Sequence, residues 1–254
     1  MDPYQEFAEF YDVYVGERLD DLPLYLDVAR SSRTPMLEIG AGSGRLTVPL
    51  AREGVPVVAV DISPAMLAIL RSRLAQEPES VQRRVEMVEA DACRLDLRRQ
   101  FAIVIVPFYT FNYLLTSEAQ TSALERMAAH LTSAGRLLID VFIPLRLLEQ
   151  GPPDPILKVD RVNPATGSRV RGWNTYTFDQ TRQIEHRRHI FEVSQPDGTV
   201  RRREFTTRRR YWFRRELAEL FEQHGLRVDG VSTGYTRAPA DERSEQLVYE
   251  LRRR

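Results

Sequence analysis

Between residues 36 and 142, five short apolar runs alternate with stretches of helical amphipathic spacing, and this alternation limits the fold more than any other feature. Met36-Leu37-Glu38-Ile39 and the segments 55–60, 85–89, 101–106 and 136–142 read as strands. Ser63-Pro64 offers an N-cap followed by proline at the first helical position, and Met66, Leu67, Leu70 and Leu74 then recur at helical spacing. Leu124, Met127, Ala128 and Leu131 predict a similar helix, with Gly135 beyond it as the stop. Strand-helix-strand units in this order make a parallel, doubly wound sheet the expected α/β architecture.

The texture changes after Pro144. Gly151-Pro152-Pro153-Asp154-Pro155 cannot continue a helix or a central strand and marks an element boundary. The segments 156–162, 169–178, 183–193 and 199–208 are rich in β-branched and aromatic residues. Turn chemistry separates them, at Asn163-Pro164 with Gly167 and at Gln195-Pro196-Asp197-Gly198, so they predict antiparallel strands. A helix from Arg214 carries Leu217, Leu220 and Phe221 on one face and stops at Gly225; 226–231 and 246–251 supply two last strands. The organisation expected is a core over 1–144, a β-rich insertion over 145–210, and a helix with a strand pair over 211–254 that completes the core.

Composition removes several function classes. The 254 residues carry 36 basic and 36 acidic side chains, so the chain as a whole is no polycation for nucleic acid or an anionic membrane. Its single cysteine, Cys93, excludes an intrachain disulfide and a cysteine-rich zinc site, and no other metal-ligand spacing is present. The acidic, polar stretch Met1 to Glu6 lacks the regions of a secretory signal. The strongest apolar run, 101–108, falls short of the ~20 residues of a membrane helix, so a cytoplasmic address is expected.

The most informative stretch is Glu38-Ile39-Gly40-Ala41-Gly42-Ser43-Gly44-Arg45, between a strand and a helix. Glycines there let the backbone turn sharply and meet a ligand closely. The dinucleotide fingerprint would need glycine where Arg45 stands, and a phosphate-cradling Walker loop would need a lysine that is absent. Asp61 ends the second strand, 21 residues after Gly40, where a carboxylate can accept hydrogen bonds from both ribose hydroxyls. Asp91 follows the third strand, where it can accept from an exocyclic adenine amine or, equally, cap a turn.

An acid followed by G-x-G-x-G, with further acids after the next two strands, resembles the class I S-adenosylmethionine-dependent methyltransferases over residues 36–142 and again over 211–252. The resemblance implies a Rossmann-like seven-stranded sheet with an antiparallel last strand, and S-adenosyl-L-methionine as cofactor. It further implies cofactor contacts from Glu38, Gly40, Ala41, Gly42, Asp61, Ile62, Asp91, Ala92 and Pro107. The aromatic stretch Phe7 to Arg18 resembles the family's lid. That likeness implies that Tyr11 and Tyr14 face the methyl donor or the substrate and that Arg18 pairs with the cofactor carboxylate; a cap packed on the sheet through Phe7, Phe10 and Tyr14 is the other reading.

The fourth strand runs into Val106-Pro107-Phe108-Tyr109-Thr110-Phe111-Asn112-Tyr113, which lacks the Asn/Asp/Ser-Pro-Pro-aromatic tetrad of methyltransferases acting on base amines. It resembles instead the small-molecule branch that includes the amino-sugar N-methyltransferases, making Phe108, Tyr109 and Asn112 candidate walls of an acceptor pocket. An amine need only arrive deprotonated, whereas a hydroxyl would need a base. Of four histidines, His130 and His224 sit near predicted helix ends, and His186 and His189 point to opposite faces of one strand. None is assigned as a base.

Between Arg161 and Arg215, 14 arginines face five acids, and the rest of the chain holds 22 basic and 31 acidic residues. The insertion therefore reads either as a charged solvated edge that discourages aggregation or as a patch for an acidic partner. In related enzymes such an insertion covers the substrate or forms a homodimer contact, a cover that Trp173, Tyr176 and Phe178 can supply here. The expected activity is methylation of a nitrogen or oxygen of a small molecule. An RNA methyltransferase using the arginines and a non-catalytic cofactor-binding module are the alternatives.

Overall fold

Strands that are apolar on both faces must be covered on both, and the computed structural model, which describes residues 7–16, 18–30, 34–152, 155–162 and 166–254, shows how. β1 (Met36–Ile39), β2 (Val57–Asp61) and β4 (Phe101–Val106) form the buried centre of a sheet that β3 (Val85–Glu89) and β5 (Leu131–Phe142) extend in parallel. β10 (Leu226–Thr233) and β11 (Gln246–Arg253) complete it, and β11 runs antiparallel between β5 and β10. The seven strands stand in the order β10-β11-β5-β4-β1-β2-β3.

α2 (Leu22–Arg30), α3 (Thr47–Arg52) and α4 (Pro64–Leu74) bury one face of this sheet through Tyr25, Val28, Leu50, Leu67 and Leu70. α6 (Ser117–Ala129) and α8 (Arg214–Gln223) bury the other through Leu124, Met127, Leu217 and Phe221. α4 begins as its sequence requires, with the Ser63 hydroxyl accepting the Met66 N–H at 3.3 Å and proline at the first turn. α1 (Ala8–Val15), α5 (Glu79–Gln82) and α7 (Leu145–Gln150) are short.

Two expectations need correction. α6 stops at Ala129 with His130 as its C-cap, so Leu131 opens β5 and Gly135 lies inside that strand. The apolar stripe misleads because Leu131 is buried by pairing with Phe101 across an irregular register, not by the helix. β2 starts at Val57, since Pro56 has no N–H to give and only its carbonyl serves the sheet, accepting from Met36. Residues 1–6, Glu17, Pro153-Asp154 and the Asn163-Pro164 turn lie outside the described residues.

The insertion forms a second, four-stranded antiparallel sheet in the order β6 (Ile156–Val162), β7 (Arg169–Asp179), β8 (Ile184–Ser194), β9 (Val200–Arg210). α1 seats Phe7 and Phe10 against Phe191 and Phe205 of this sheet, with Phe10 and Phe191 stacked at 4.5 Å between ring centres. Its arginines are largely matched inside the sheet: Arg169 with Asp160, Arg171 with Glu192, Arg188 with Glu204, Arg202 with Glu192 and Glu204.

Glu185 is the sheet's buried anion. Arg209 grips it with two nitrogens at 3.1 and 3.0 Å, and Arg187 adds a third contact at 2.9 Å. Burial alone would raise this carboxyl, but the charges of Arg209 and Arg187 outweigh it and bring it down to about 2. A carboxyl whose folded value lies below its ordinary 4.5 contributes stability that is present above that value and lost as pH falls toward 2. Glu185→Gln should lower stability at neutral pH by about 3–5 kcal/mol, because two buried guanidinium groups lose their counter-charge. It should also flatten the acid limb below pH 4.5; urea melts across that range measure both.

Candidate functional site

The sheet reverses its strand order between β1, β2 and β4, and a crevice opens at the carboxyl ends of those strands, where open α/β sheets receive ligands. A cavity of about 670 Å³ occupies it, within the ~300–1,000 Å³ typical of small-molecule sites. Its floor is the glycine loop. Gly40 and Gly42 adopt φ of 81° and 57°; a Cβ on Gly40 would strike the Thr110 side chain, and one on Gly42 would sit 3.2 Å from Met66 Cε. Side chains are excluded there by strain as well as by space.

Asp61 ties the floor to the neighbouring strand. Its Oδ2 accepts the Gly42 N–H at 2.7 Å and its Oδ1 accepts the Ser63 N–H at 2.8 Å. A carboxylate accepts several hydrogen bonds at once, and these two fix Asp61 in the cavity wall. Asp91 lines the same wall and accepts the Cys93 N–H at 2.8 Å. It therefore both caps a turn and faces the cavity. Ile62, Met66, Ala90 and Ala92 flank the two acids with apolar surface. Acids set to receive hydroxyl or amine donors, an apolar slot between them and a loop without side chains suit a nucleoside that brings no phosphate.

Of the residues picked out from sequence, Tyr11, Gly40, Gly42, Asp61, Ile62, Asp91, Ala92 and Phe108 line this cavity. The others lie around it. Glu38 is buried below the loop, where the Thr47 hydroxyl donates to it at 2.6 Å. Ala41 donates its N–H to the Val60 carbonyl. Pro107 gives its carbonyl to the Thr110 side chain. Arg18 pairs with Asp20 at 3.2 Å, half-exposed. The Tyr14 hydroxyl accepts from Asn174 at 2.8 Å, turned toward the insertion. Tyr109 packs against Phe142. The Asn112 amide donates to the Phe142 and Arg210 carbonyls and accepts the Phe142 N–H, so it joins β5 to β9 and is not among the residues lining this cavity.

Several lining residues escape sequence reasoning. Phe205, Thr206, Thr207 and Arg208 of β9 form the far wall, whereas Trp173, Tyr176 and Phe178 are not among the lining residues. The signal for the wall is the uncharged break Phe205-Thr206-Thr207 inside a run of arginines and one glutamate. α1 is held over the loop by Asp12, whose carboxylate accepts from Ser43 at 2.8 Å and pairs with Arg73 at 2.5 Å.

Arg45 is held by Asp21 through two nitrogens, at 2.7 and 2.5 Å, and lies 4.5 Å over the Phe108 ring. Phe108 and Tyr109 both take left-handed backbone, φ 52° and 65°, and the Phe108 N–H donates to the buried Asp140 at 2.9 Å. Burial raises the Asp140 carboxyl to about 7, while the Tyr235 hydroxyl and the Phe108 N–H oppose the rise. Burial also raises the Tyr11 phenol and moves the Cys93 thiol up to about 11, so both stay protonated. His189, pushed down to about 3 by burial and the Arg187 charge, is a poor proton acceptor. A smaller hollow of about 270 Å³ beside Arg99 and His130 holds no comparable chemistry: both His130 nitrogens are engaged, by the Leu97 N–H and the Arg126 carbonyl.

Residues 36–135 match the family model of the methyltransferase domain. The chain is similar to the cypemycin N-terminal methyltransferase of a Streptomyces species, 26% identical with 86% of this chain and 82% of that protein aligned. The CcbJ methyltransferase of Streptomyces caelestis superposes with a TM-score of 0.81 at 24% identity, covering 99% and 98% of the two chains. An amino pentose methyltransferase of Micromonospora echinaspora, solved with its cofactor, superposes at 0.73 with 21% identity over 98% and 97%. Residues 36–135 thus form a methyltransferase domain, and the sheet around them has the class I, Rossmann-like fold of the S-adenosylmethionine-dependent methyltransferases.

Burial sets the Glu38 carboxyl at about 8, with the Thr47 hydrogen bond and the Arg45 charge opposing the rise. A carboxyl raised in the folded state contributes stability that is complete below its ordinary 4.5 and lost as pH rises through 8. Without cofactor, Glu38→Gln should lose less stability than the unmodified protein between pH 5 and 9, as read from urea midpoints.

Proposed function

We propose that the chain transfers the methyl of S-adenosylmethionine to the nitrogen of a small-molecule amine. The observation that carries this reading is the composition of the cavity beyond the glycine loop. Tyr11, Phe108, Tyr113, Phe205, Thr206 and Thr207 line it, while the carboxylates that share the cavity, Asp61 and Asp91, sit on its glycine-loop wall and accept the backbone N–H groups of Gly42, Ser63 and Cys93. An amine arriving with its lone pair free needs no base. The names of the similar amino pentose and N-terminal methyltransferases support nitrogen as the target. The internal pairing of Arg169, Arg171, Arg188 and Arg202 leaves less charge for RNA, which supports a small acceptor. Among the described residues no helix is long and apolar enough to cross a membrane, and the lone Cys93 thiol suits a reducing, cytoplasmic setting.

The bound cofactor supplies an electrophilic methyl on a sulfonium. The protein's part is to bind, orient and keep out water. Asp61 receives the ribose hydroxyls and Asp91 the adenine amine, with Ile62 and Ala92 on the ring, while Gly40 and Gly42 admit the amino acid end over Glu38. Tyr11 and Phe108 close the donor side and Phe205 the acceptor side, so the amine is aligned in a dry space. Asp61→Ala should weaken binding of the demethylated cofactor at least about tenfold by calorimetry, through a lost ribose partner and a loosened Gly42. Unchanged affinity would overturn the assignment of Asp61.

A further inference from the structure

The far wall of the cavity is a strand edge. β9 is the last strand of the insertion sheet, so among the described residues one of its two edges has no strand beside it. Which residues address that edge follows from two hydrogen bonds. The Tyr211 N–H donates to the Gln183 carbonyl, so residue 211 faces β8. The Arg210 carbonyl accepts from Asn112, so residue 210 faces away from β8. Backbone groups in an antiparallel strand change side at every residue. The N–H and C=O of Thr206 and Arg208 therefore also point out of the edge, and these two exposed residues line the cavity.

We propose that this edge binds the backbone of the methyl acceptor, and that the acceptor is an amine carrying a neighbouring amide, as in a peptidyl or aminoacyl amine laid in extended form beside β9. An edge N–H and C=O form a donor and acceptor pair that an amide completes with its own C=O and N–H, in the geometry of strand addition. Thr206 and Arg208 lie two residues apart, ~6.8 Å along the strand, the repeat at which an extended peptide presents its own outward groups. Phe205 and Thr207 cover the interior side of the same strand, and Arg208 brings a cation to the edge. Pairing along the edge leads the acceptor's amine into the space between Phe205, Phe108 and Tyr11, at the mouth of the glycine loop.

The inference rests on the proposed N-methylation, and the test separates the two. Methyl transfer from labelled S-adenosylmethionine is measured on a tri-alanine amide with a free N-terminus, on its analogue with the first amide replaced by an ester, and on an amino sugar, with cofactor binding followed by calorimetry. The peptide should be methylated, and the ester, which lacks the N–H and has a weaker carbonyl, should lower kcat/KM about tenfold. Thr206→Pro removes an outward N–H without removing a bond of the sheet ladder. It should lower kcat/KM for the peptide about tenfold while cofactor affinity holds. Equal use of amide and ester overturns the edge assignment. So does methylation of the amino sugar with none of the peptide, which leaves N-methylation standing. Absence of cofactor binding overturns the underlying reading itself. Should Thr206→Pro fail to fold, the amide and ester comparison on the unmodified protein decides alone.

Discussion

One carboxylate sets the geometry of the donor side. Asp61 stands at the end of β2 and accepts backbone N–H groups from the loop after β1 and from the start of α4. Three elements are thereby fixed relative to one another by a group that also faces the cavity. The glycines make the loop possible but leave its path undetermined, because φ at such residues is cheap to change. It is the bond from Gly42 to Asp61 that selects one path, and the exclusion of a Cβ by Thr110 and Met66 that keeps it empty of side chains.

The aromatic wall beside the glycine loop depends on a different device. Phe108 and Tyr109 sit in backbone conformations that bulky residues adopt only when their surroundings hold them there. Asp140 does so by accepting the Phe108 N–H, and it is itself held by Tyr235. Arg45, clamped by Asp21, presses on the Phe108 ring from the other side. The aromatic wall is thus a consequence of buried charge, and removing either partner of the Arg45–Asp21 pair would leave an uncompensated ion beside the pocket.

The parallel core was legible because its signals are local: apolar runs of strand length, a Ser-Pro helix start, and a glycine loop with acids at strand ends. The strands of the insertion were legible for the same reason, through their turn residues. The far wall was not. Which of many β residues meets the cavity depends on how the second sheet docks on the first, and neither residue periodicity nor composition encodes docking. Arg45 illustrates the limit. By sequence it only breaks a dinucleotide pattern, whereas in the fold it is a buried cation because Asp21, 24 residues earlier, comes back to it. Asn112 erred in the opposite direction: its place after the fourth strand suggested a pocket, but its amide was needed by carbonyls 30 and 98 residues away.

That last span bears on how the molecule comes together in time. Asp61 meets Gly42 across 19 residues, and the donor half of the crevice can close as soon as the first two strand units have paired. The docking of the second sheet waits for contacts such as Asn112 with Arg210 and Tyr14 with Asn174, the latter separated by 160 residues. Long loops close slowly and at greater entropic cost. In a chain leaving the ribosome, the contacts that shape the glycine loop can therefore form before those that join the second sheet to the first.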